Sequence, residues 1–337
     1  YSAICGEVYM DLFDRGGFFG KGIIGAESLV VCSRAHIPVG RVLSHDALEG
    51  AYLRGGYISD TEFSDSFPSS PLAYYRRSHR WIRGDWQNAA WIFRHGSAMP
   101  DIERWRLFDS LRRSLVAPAT FTAIFLGLLF AEKGLILAAW AAVLALAVGF
   151  LIALTEFGTN RTADLELRYH SRLIKGITAA LIQALLRLWF LPYEAWISVS
   201  AAAAALWRQL VSRKNLLEWE TAAQSERKKA GAVSYYRNMW LTPVSGAILL
   251  IFSAGIFAKA VGLLWILAPL AALALALPAG KNSELSRDDR QYLLSCAEDI
   301  WSYFDFFCTE EDNFLPPDNY QEQPPVGIAH RTSPTNM

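Results

Sequence analysis

Four long apolar runs between residues 115 and 279 constrain this sequence more than any other feature. They form two close pairs, each joined by one or two charged residues: Leu115–Ala131 with Gly134–Leu154, and Leu241–Ala258 with Ala260–Pro278. A helix needs about 20 apolar residues to cross the hydrocarbon core of a bilayer. A soluble fold would have to bury all four runs, so we predict a multi-pass α-helical membrane protein.

The segment 177–207 between the two pairs is also apolar but contains Arg187, Pro192 and Glu194. A charge at the centre of a membrane helix costs about 2.5–3.5 kcal/mol on insertion scales. We therefore predict a helical hairpin or an interfacial segment, broken at Pro192. The charged stretch 212–229 resembles an amphipathic helix at the inner membrane surface.

Lys and Arg are distributed unevenly around the apolar runs. The two short turns carry one Lys each, Lys133 and Lys259, whereas the stretch 76–113 alone carries nine Arg. The positive-inside rule then places the short turns outside and the polar segments in the cytoplasm. The ends of the apolar section divide the chain into 1–114, 115–279 and 280–337.

Charge and cysteine content exclude two further classes. The 337 residues carry 32 Lys plus Arg and 32 Asp plus Glu. This balance gives no electrostatic basis for binding nucleic acid. The four cysteines are widely spaced, which excludes a disulfide framework and fits buried thiols in a reducing compartment. Because the sequence starts at Tyr1 without a signal peptide, we expect an internal section of a longer polypeptide.

Residues 1–114 alternate short apolar runs with glycine turns, which is typical of the closing part of an α/β domain. Within it, His45, Asp46 and Glu49 lie within five residues. At a helix start, Asp46 and Glu49 would share one face and could serve in catalysis. A capping box with Ser44 or Asp46 as the cap explains the same residues without chemistry.

Two other polar motifs lie in this part of the chain. Lys21 stands between two glycines, where the backbone can approach a phosphate or a sugar, but the Walker spacing is missing and the pattern alone favours a plain turn. The stretch 76–87 contains four Arg, one His and two Trp. Arg side chains can hold diphosphate oxygens and Trp rings can stack on a sugar. A basic surface next to the membrane is the alternative interpretation.

In combination, these motifs resemble the end of an inverting, family-2-type processive glycosyltransferase. In that superfamily a Thr/Ser-x-Asp element supplies the general base, and a Q/R-x-x-R-W element binds the donor diphosphate and the acceptor glucan. More narrowly, the chain resembles the cyclic β-1,2-glucan synthases. The motifs that carry this resemblance are GKGI, RVLSHDALEGAYLR, RRSHRWIRGDWQ, NLLEWETAAQ and LPPDNYQE with AHRTSPTN. One departure is Ile23-Ile-Gly-Ala-Glu27, where the family tends to have an acidic pattern.

The resemblance implies a fold and a reaction. Residues 1–114 would end a GT-A-like glycosyltransferase domain, and 280–337 would begin a glucoamylase-like (α/α) barrel that cyclises the glucan. The reaction would transfer glucose from UDP-glucose to the 2-hydroxyl of a growing glucan, with inversion. The implied roles are a general base at Asp46, donor binding by Arg77, Arg80 and Arg83, and acceptor binding by Trp81, Lys21, His45 and Glu49.

Residues 284–308 carry apolar side chains at helical spacing, with Ser286 as a plausible N-cap. Asp318 and Glu322 could suggest the carboxylate pair of a glycosidase. Prolines break that segment into turns, however, and the resemblance implies instead the first pocket loop of the barrel, whose catalytic acids lie elsewhere. Its sugar subsites would be lined by Asp318, Tyr320, Gln321, His330 and Arg331.

The resemblance also implies a metal ion, partners and a location. Mg²⁺ or Mn²⁺ would neutralise UDP, but its D-x-D ligands lie outside this sequence, so no metal ligand is assigned here. The partners would be UDP-glucose, the growing glucan, membrane lipid and the remaining domains of the same polypeptide. We expect a bacterial inner-membrane protein, inactive as this section alone. The alternatives are another processive β-glucan synthase and a non-catalytic glucan transporter or scaffold.

Overall fold

A computed structural model of the chain describes most of its residues. They are 8–18, 20, 22–38, 40–56, 67–94, 99–130, 167–218, 230–277 and 285–332, with the backbone alone for 167–180. The chain divides into two compact units, Tyr1–Leu277 and Pro278–Met337. The division lies close to the end of the predicted membrane section.

The described residues are mostly helical. The helices are α1 Val8–Phe13, α2 Ala26–His36, α3 Asp46–Leu53, α4 Pro71–Gln87, α5 Ala89–Ile92, α6 Asp101–Leu129, α7 Leu167–Trp207, α8 Ala232–Asn238, α9 Leu241–Phe252, α10 Ile256–Leu275 and α11 Arg287–Phe307. A π-helical turn, Arg208–Ser212, follows α7, and a 3₁₀ turn, Glu310–Asp312, follows α11. Two short strands, β1 Tyr320–Gln321 and β2 Gly327–Ile328, form an antiparallel hairpin that pairs Tyr320 with Ile328.

The α/β pattern predicted for residues 1–114 is not seen in the part of that segment that the structure describes. Among the described residues of 1–114, extended backbone segments pair at one isolated β-bridge, between Gly16 and Gly55. The apolar run Ser28–Val31 lies inside α2, which buries Cys32. A run of four apolar residues does not distinguish a strand from a helix by periodicity, so the sequence pattern was ambiguous there.

The predicted break at Pro192 is wrong, because α7 runs through this residue as one helix. A proline removes the N–H that would bond the carbonyl four residues earlier, here that of Leu188. The indole Nε1 of Trp265, in α10, donates to this carbonyl at 3.4 Å. A second indole, Trp189 Nε1, donates back to the carbonyl of Leu264 at 2.6 Å. Tertiary hydrogen bonds thus satisfy the backbone group that the proline leaves free.

The turn of the second apolar pair also differs from its predicted place. Residues 253–255 form it, and Lys259 lies inside α10 instead. Ser253 ends α9 with its hydroxyl donating to the Leu249 carbonyl at 2.5 Å. Gly246 and Gly262 let the two helices touch: a Cβ atom on Gly246 would collide with the carbonyl oxygen of Gly262. Small residues at such a contact are typical of packed membrane helices.

Two described helices, α6 and α10, are long and apolar enough to cross a membrane. They match the predicted runs that begin at Leu115 and Ala260, whereas α9 has 12 residues and is too short to cross alone. The run Gly134–Leu154 and its turn at Lys133 lie outside the described residues. In the stretch 212–229, Ser212 ends the π-helical turn and the described residues 213–218 are not helical, because Arg213 and Asn215 adopt left-handed backbone conformations.

Three apolar clusters organise the first unit. One joins α4, α7, α8 and α10, and a second joins α6, α7, α9 and α10. The third packs Leu48 of α3 near Trp91 of α5 and Leu107 of α6. Leu48 is fully buried, a state worth about 1.5–3 kcal/mol relative to exposure. This third cluster anchors α3, whose first turn carries Asp46.

The second unit contains α11 and the β hairpin. The N-cap prediction is confirmed, since the Ser286 hydroxyl accepts a hydrogen bond from the Asp289 backbone N–H at 3.0 Å. The Tyr303 hydroxyl donates to the carbonyl of Pro317 at 3.0 Å, which ties the loop to the helix. The thiols of Cys296 and Cys308 are free, as is that of Cys32 in the first unit.

Candidate functional site

Asp46 is the first residue of α3, and Glu49 lies three residues later on the same face. The residue before the helix is His45, and no side-chain hydrogen bond caps the helix there. The capping interpretation of this motif, with Ser44 or Asp46 as the cap, is therefore not supported. The shared face predicted for the two carboxylates is confirmed, with both groups half-buried.

His45 is placed between the two carboxylates. Its Nδ1 lies 2.8 Å from Glu49 Oε1 and 3.6 Å from Asp46 Oδ1. The hydrogen bond therefore links His45 to Glu49 more closely than to Asp46. This arrangement leaves the Asp46 carboxylate available to a second partner.

Gly20 lies against the same carboxylate. Gly20 has a positive φ of 81°, and a Cβ atom there would lie 2.9 Å from Asp46 Oδ2. Glycine is needed both for the backbone conformation and for this close approach. Lys21 itself lies outside the described residues, so its predicted role stays a prediction.

Arg80 lies on a different helix, within electrostatic range of Asp46. Its helix α4 begins with Ser70, whose hydroxyl accepts from the Ala73 N–H at 3.3 Å, followed by Pro71 at the first position. Arg80 is half-buried. Burial lowers the pKa of its guanidinium, and the nearby Asp46 carboxylate opposes that shift. The fold thus brings a carboxylate and a cation together from two helices.

Arg77, which is half-buried, stacks on the exposed Trp81 near Arg80. The Arg77 guanidinium carbon lies 4.8 Å from the centre of the Trp81 ring and 4.9 Å from that of Phe67. Trp81 remains 41% exposed. A cation against one face of an indole holds the ring in place. Trp81 can therefore offer its exposed surface to a sugar.

Arg83 is directed away from this group. It is buried, and its Nη2 donates to the backbone carbonyl of Glu218. Arg208 Nη2 binds the carboxylate of the same Glu218 at 2.9 Å. The structure therefore brings Arg77 and Arg80 together but engages Arg83 elsewhere, and its predicted donor role remains a prediction.

The sequence analysis missed the residues that hold the segment before Asp46. Gln87 Oε1 accepts a hydrogen bond from the Leu43 N–H at 2.8 Å, and Asn88 Nδ2 donates to the Ser44 carbonyl at 3.0 Å. A Cβ atom on Gly84 would lie 2.5 Å from the Cβ of Ser44. The available signal in the sequence was the pair of amide side chains, Gln87 and Asn88, at the end of the Arg- and Trp-rich motif.

The predicted sugar-binding residues of the second unit lie around the β hairpin. Arg331 Nε is 3.5 Å from Asp318 Oδ2, and the Asp318 N–H donates to the Arg331 carbonyl at 2.7 Å. Tyr320, next to Gln321 on β1, has its ring 5.2 Å from that of Phe307. His330 Nδ1 lies 3.0 Å from Asp312 Oδ2, a contact that the sequence analysis missed. The hairpin thus gathers all five predicted residues.

Comparison with known proteins bears on what these residues do. No family model matches the chain. The chain is 35% identical, over 343 aligned residues and 98% of its length, to the cyclic β-(1,2)-glucan synthase NdvB of Rhizobium meliloti (strain 1021). This chain is homologous to a section of a glucan synthase. The resemblance predicted from the motifs is thereby confirmed. The chain spans 12% of the length of this relative.

The helical structure fits that relationship. Two apolar helices that could cross a bilayer are compatible with a membrane-associated section of a glucan synthase. Asp46, Arg80 and Trp81 lie in two of the motifs that suggested the relationship.

The half-buried carboxyl of Asp85, on α4, allows the packing around this helix to be tested by changing the pH. Burial raises the pKa of Asp85 to about 7, and Arg113 partly opposes the shift. The unfolded carboxyl has a pKa of about 3.9. Between these two values the folded state keeps a proton that the unfolded state has released. The contribution of this proton to the stability of the folded state is therefore complete below about pH 4 and is lost as the pH rises through 7.

We expect Asp85→Asn in the full-length polypeptide to unfold at a higher temperature than wild type at pH 8. The difference should vanish near pH 4. The gain at pH 8 should correspond to on the order of 2 kcal/mol, below the full shift because the residue is half-buried. Asp101→Asn, on an exposed carboxylate, is the matched control. An Asp85→Asn protein with no gain at pH 8 would contradict the assigned burial.

Proposed function

We propose that this chain is the part of a cyclic β-1,2-glucan synthase that supports transfer of glucose from UDP-glucose to the 2-hydroxyl of a growing glucan, with inversion. One observation carries the proposal: the Asp46 carboxylate lies in the field of the Arg80 guanidinium, with Trp81 exposed at the next position. A base, a diphosphate ligand and a stacking surface are the groups that such a transfer needs.

Asp46 acts as the general base. The acceptor hydroxyl must lose its proton as its oxygen attacks the donor sugar, and a carboxylate accepts that proton. Arg80 presents its planar fork to the diphosphate, where negative charge grows as UDP leaves. Trp81 stacks on the acceptor sugar, and His45 with Glu49 lies on the acceptor side of Asp46.

Mg²⁺ or Mn²⁺ would neutralise the UDP diphosphate. His45, Asp46 and Glu49 offer ligand atoms within 4.8 Å of one another. Two ligands of one such ion, each about 2.1 Å from it, lie at most about 4.2 Å apart. In this arrangement His45 Nδ1 is hydrogen-bonded to Glu49 Oε1 at 2.8 Å. The trio as arranged does not fit a metal site, and we propose that a D-x-D element elsewhere in the polypeptide holds the ion.

The remaining parts of the proposal concern location and partners. The polypeptide crosses the bacterial inner membrane several times, with its polar segments in the cytoplasm and in contact with membrane lipid. Residues 1–114 close a glycosyltransferase domain, and the second unit begins a glucoamylase-like (α/α) barrel in which the hairpin residues line sugar subsites. The partners are UDP-glucose, the glucan and the other domains of the same polypeptide.

The full-length polypeptide, purified in detergent and supplied with labelled UDP-glucose and Mg²⁺ or Mn²⁺, tests this function. We expect label to enter a glucan whose linkage analysis gives β-1,2 bonds. A β-1,4-linked product would identify another processive synthase. Absence of any transfer, with the protein folded, would favour a transporter or scaffold.

A further inference from the structure

One buried side chain at the end of α4 joins segments that are far apart in the sequence. Gln87 is fully buried. Its Oε1 accepts a hydrogen bond from the Leu43 N–H at 2.8 Å, and its Nε2 donates to the Leu216 carbonyl at 3.0 Å. Its own backbone carbonyl accepts from Nε2 of Gln209 at 2.9 Å. A single amide therefore satisfies a backbone donor on one side and a backbone acceptor on the other.

The first of these segments leads directly to Asp46. Leu43 precedes it by three residues, and Ser44 between them is fixed from α4 by the hydrogen bond of Asn88 and the close contact of Gly84. Arg80 lies about one helical turn before Gly84 on the same helix. The helix that carries Arg80 therefore also fixes the backbone that enters Asp46.

The second segment is the end of α7 with the residues after it. Arg208 Nη1 donates to the Asn215 carbonyl at 2.7 Å, and its Nη2 binds the Glu218 carboxylate. Arg83 of α4 donates to the Glu218 carbonyl. Residues 208–218 are thus held as a compact piece against the face of α4 that carries Arg83 and Gln87.

We propose that Gln87 is a positioning residue for glycosyl transfer, which keeps the Asp46 carboxylate in place beside Arg80 and links that placement to residues 208–218 at the end of α7. The inference rests on the proposed function, because the placement has a kinetic consequence only if Asp46 is the base. An amide is required, since only a group that both donates and accepts can bond the Leu43 N–H and the Leu216 carbonyl together.

The test compares variants of the full-length polypeptide in the UDP-glucose assay. Gln87→Met keeps the length of the side chain but removes both hydrogen bonds. We expect its kcat to fall about 10- to 100-fold, because a displacement of about 1 Å in a reacting group has effects of this size. The affinity for UDP should stay within about twofold, because Arg80, the proposed ligand of the diphosphate, is unchanged. The control is Asn238→Leu, because the Asn238 amide donates to the Ser234 carbonyl within α8. This variant should keep turnover within about twofold of wild type.

Gln87→Glu provides a second readout if the Met variant does not fold. A carboxylate can still accept from Leu43 but cannot donate to Leu216 while it is ionised. Relative to wild type, we expect its turnover to decline as the pH rises from 6 to 8, with UDP affinity unchanged. A purely structural role would lower turnover and UDP affinity together.

Three results would overturn the inference. They are wild-type turnover in Gln87→Met, parallel loss of UDP affinity and turnover in either variant, and a pH profile of Gln87→Glu like that of wild type. A wild-type protein that transfers no glucose would instead contradict the proposed function on which the inference rests. Glucose transfer by the wild-type protein in the same assay thus distinguishes failure of the inference from failure of the proposed function.

Discussion

Asp46→Asn in the full-length polypeptide is expected to lower glucose transfer by about 10²- to 10⁴-fold, the usual effect of losing a general base. The amide has the size of the carboxylate but cannot take the proton of the acceptor hydroxyl. UDP affinity should stay close to wild type, because Arg80 is on another helix. The measurement is the initial rate of label transfer from UDP-glucose, alongside a UDP titration.

The control for this variant is Asp101→Asn. Asp101 also begins a helix, α6, but its side chain is fully exposed. It should retain wild-type transfer. Glu49→Gln tests the neighbouring carboxylate, which is hydrogen-bonded to His45. Wild-type turnover in Asp46→Asn together with a large loss in Glu49→Gln would move the base to Glu49.

Arg80→Ala is expected to weaken UDP binding by roughly 1.5–3 kcal/mol, or about 10- to 150-fold, the contribution of a hydrogen bond to a charged group. Arg80→Lys should recover part of this loss only, because an ammonium cannot present two coplanar donors. Titration of the detergent-solubilised full-length protein with UDP measures both variants. Trp81→Ala should impair elongation more than UDP binding, since its ring is proposed to hold the acceptor.

Arg94→Ala is the matched control, because Arg94 is an exposed arginine from the same basic region. If the cluster only faces anionic lipid, Arg80→Ala and Arg94→Ala should behave alike and Arg80→Lys should be silent. Unchanged UDP affinity in Arg80→Ala would remove the donor role from this helix.

Features set by local chemistry could be predicted from the sequence. Ser286 caps α11 because its hydroxyl bonds a backbone group three residues away. Asp46 and Glu49 share a face because the spacing of a helix dictates it. The motifs around Asp46 and Arg80 also carried the resemblance to the glucan synthases, which the similarity to NdvB confirms.

Features set by tertiary contacts could not be predicted. Pro192 stays inside α7 because the indole of Trp265, far along the chain, bonds the carbonyl that the proline frees. The close approach of α9 and α10 at Gly246 and Gly262 likewise depends on two residues that are far apart in the sequence. Local sequence carries no signal of either partner.

The residues of the candidate site divide in the same way, into those that the sequence indicates and those that only the tertiary structure reveals. The residue types of Asp46 and Arg80 already indicate what they can do, since a carboxylate can accept a proton and a guanidinium can bind a diphosphate. The residue type of Gln87 indicates no chemistry. Its proposed role rests on its burial and on the two backbone groups that it joins. Sequence reasoning named the groups that we propose to react and missed the side chain that we propose to place them.

The most direct test of the account is a cryo-EM map of the full-length polypeptide with UDP and Mn²⁺. The account predicts that the diphosphate lies within hydrogen-bonding distance of the Arg80 guanidinium, on the side of α4 that faces Asp46. Density for UDP at a place remote from Arg80 and Asp46 would contradict it.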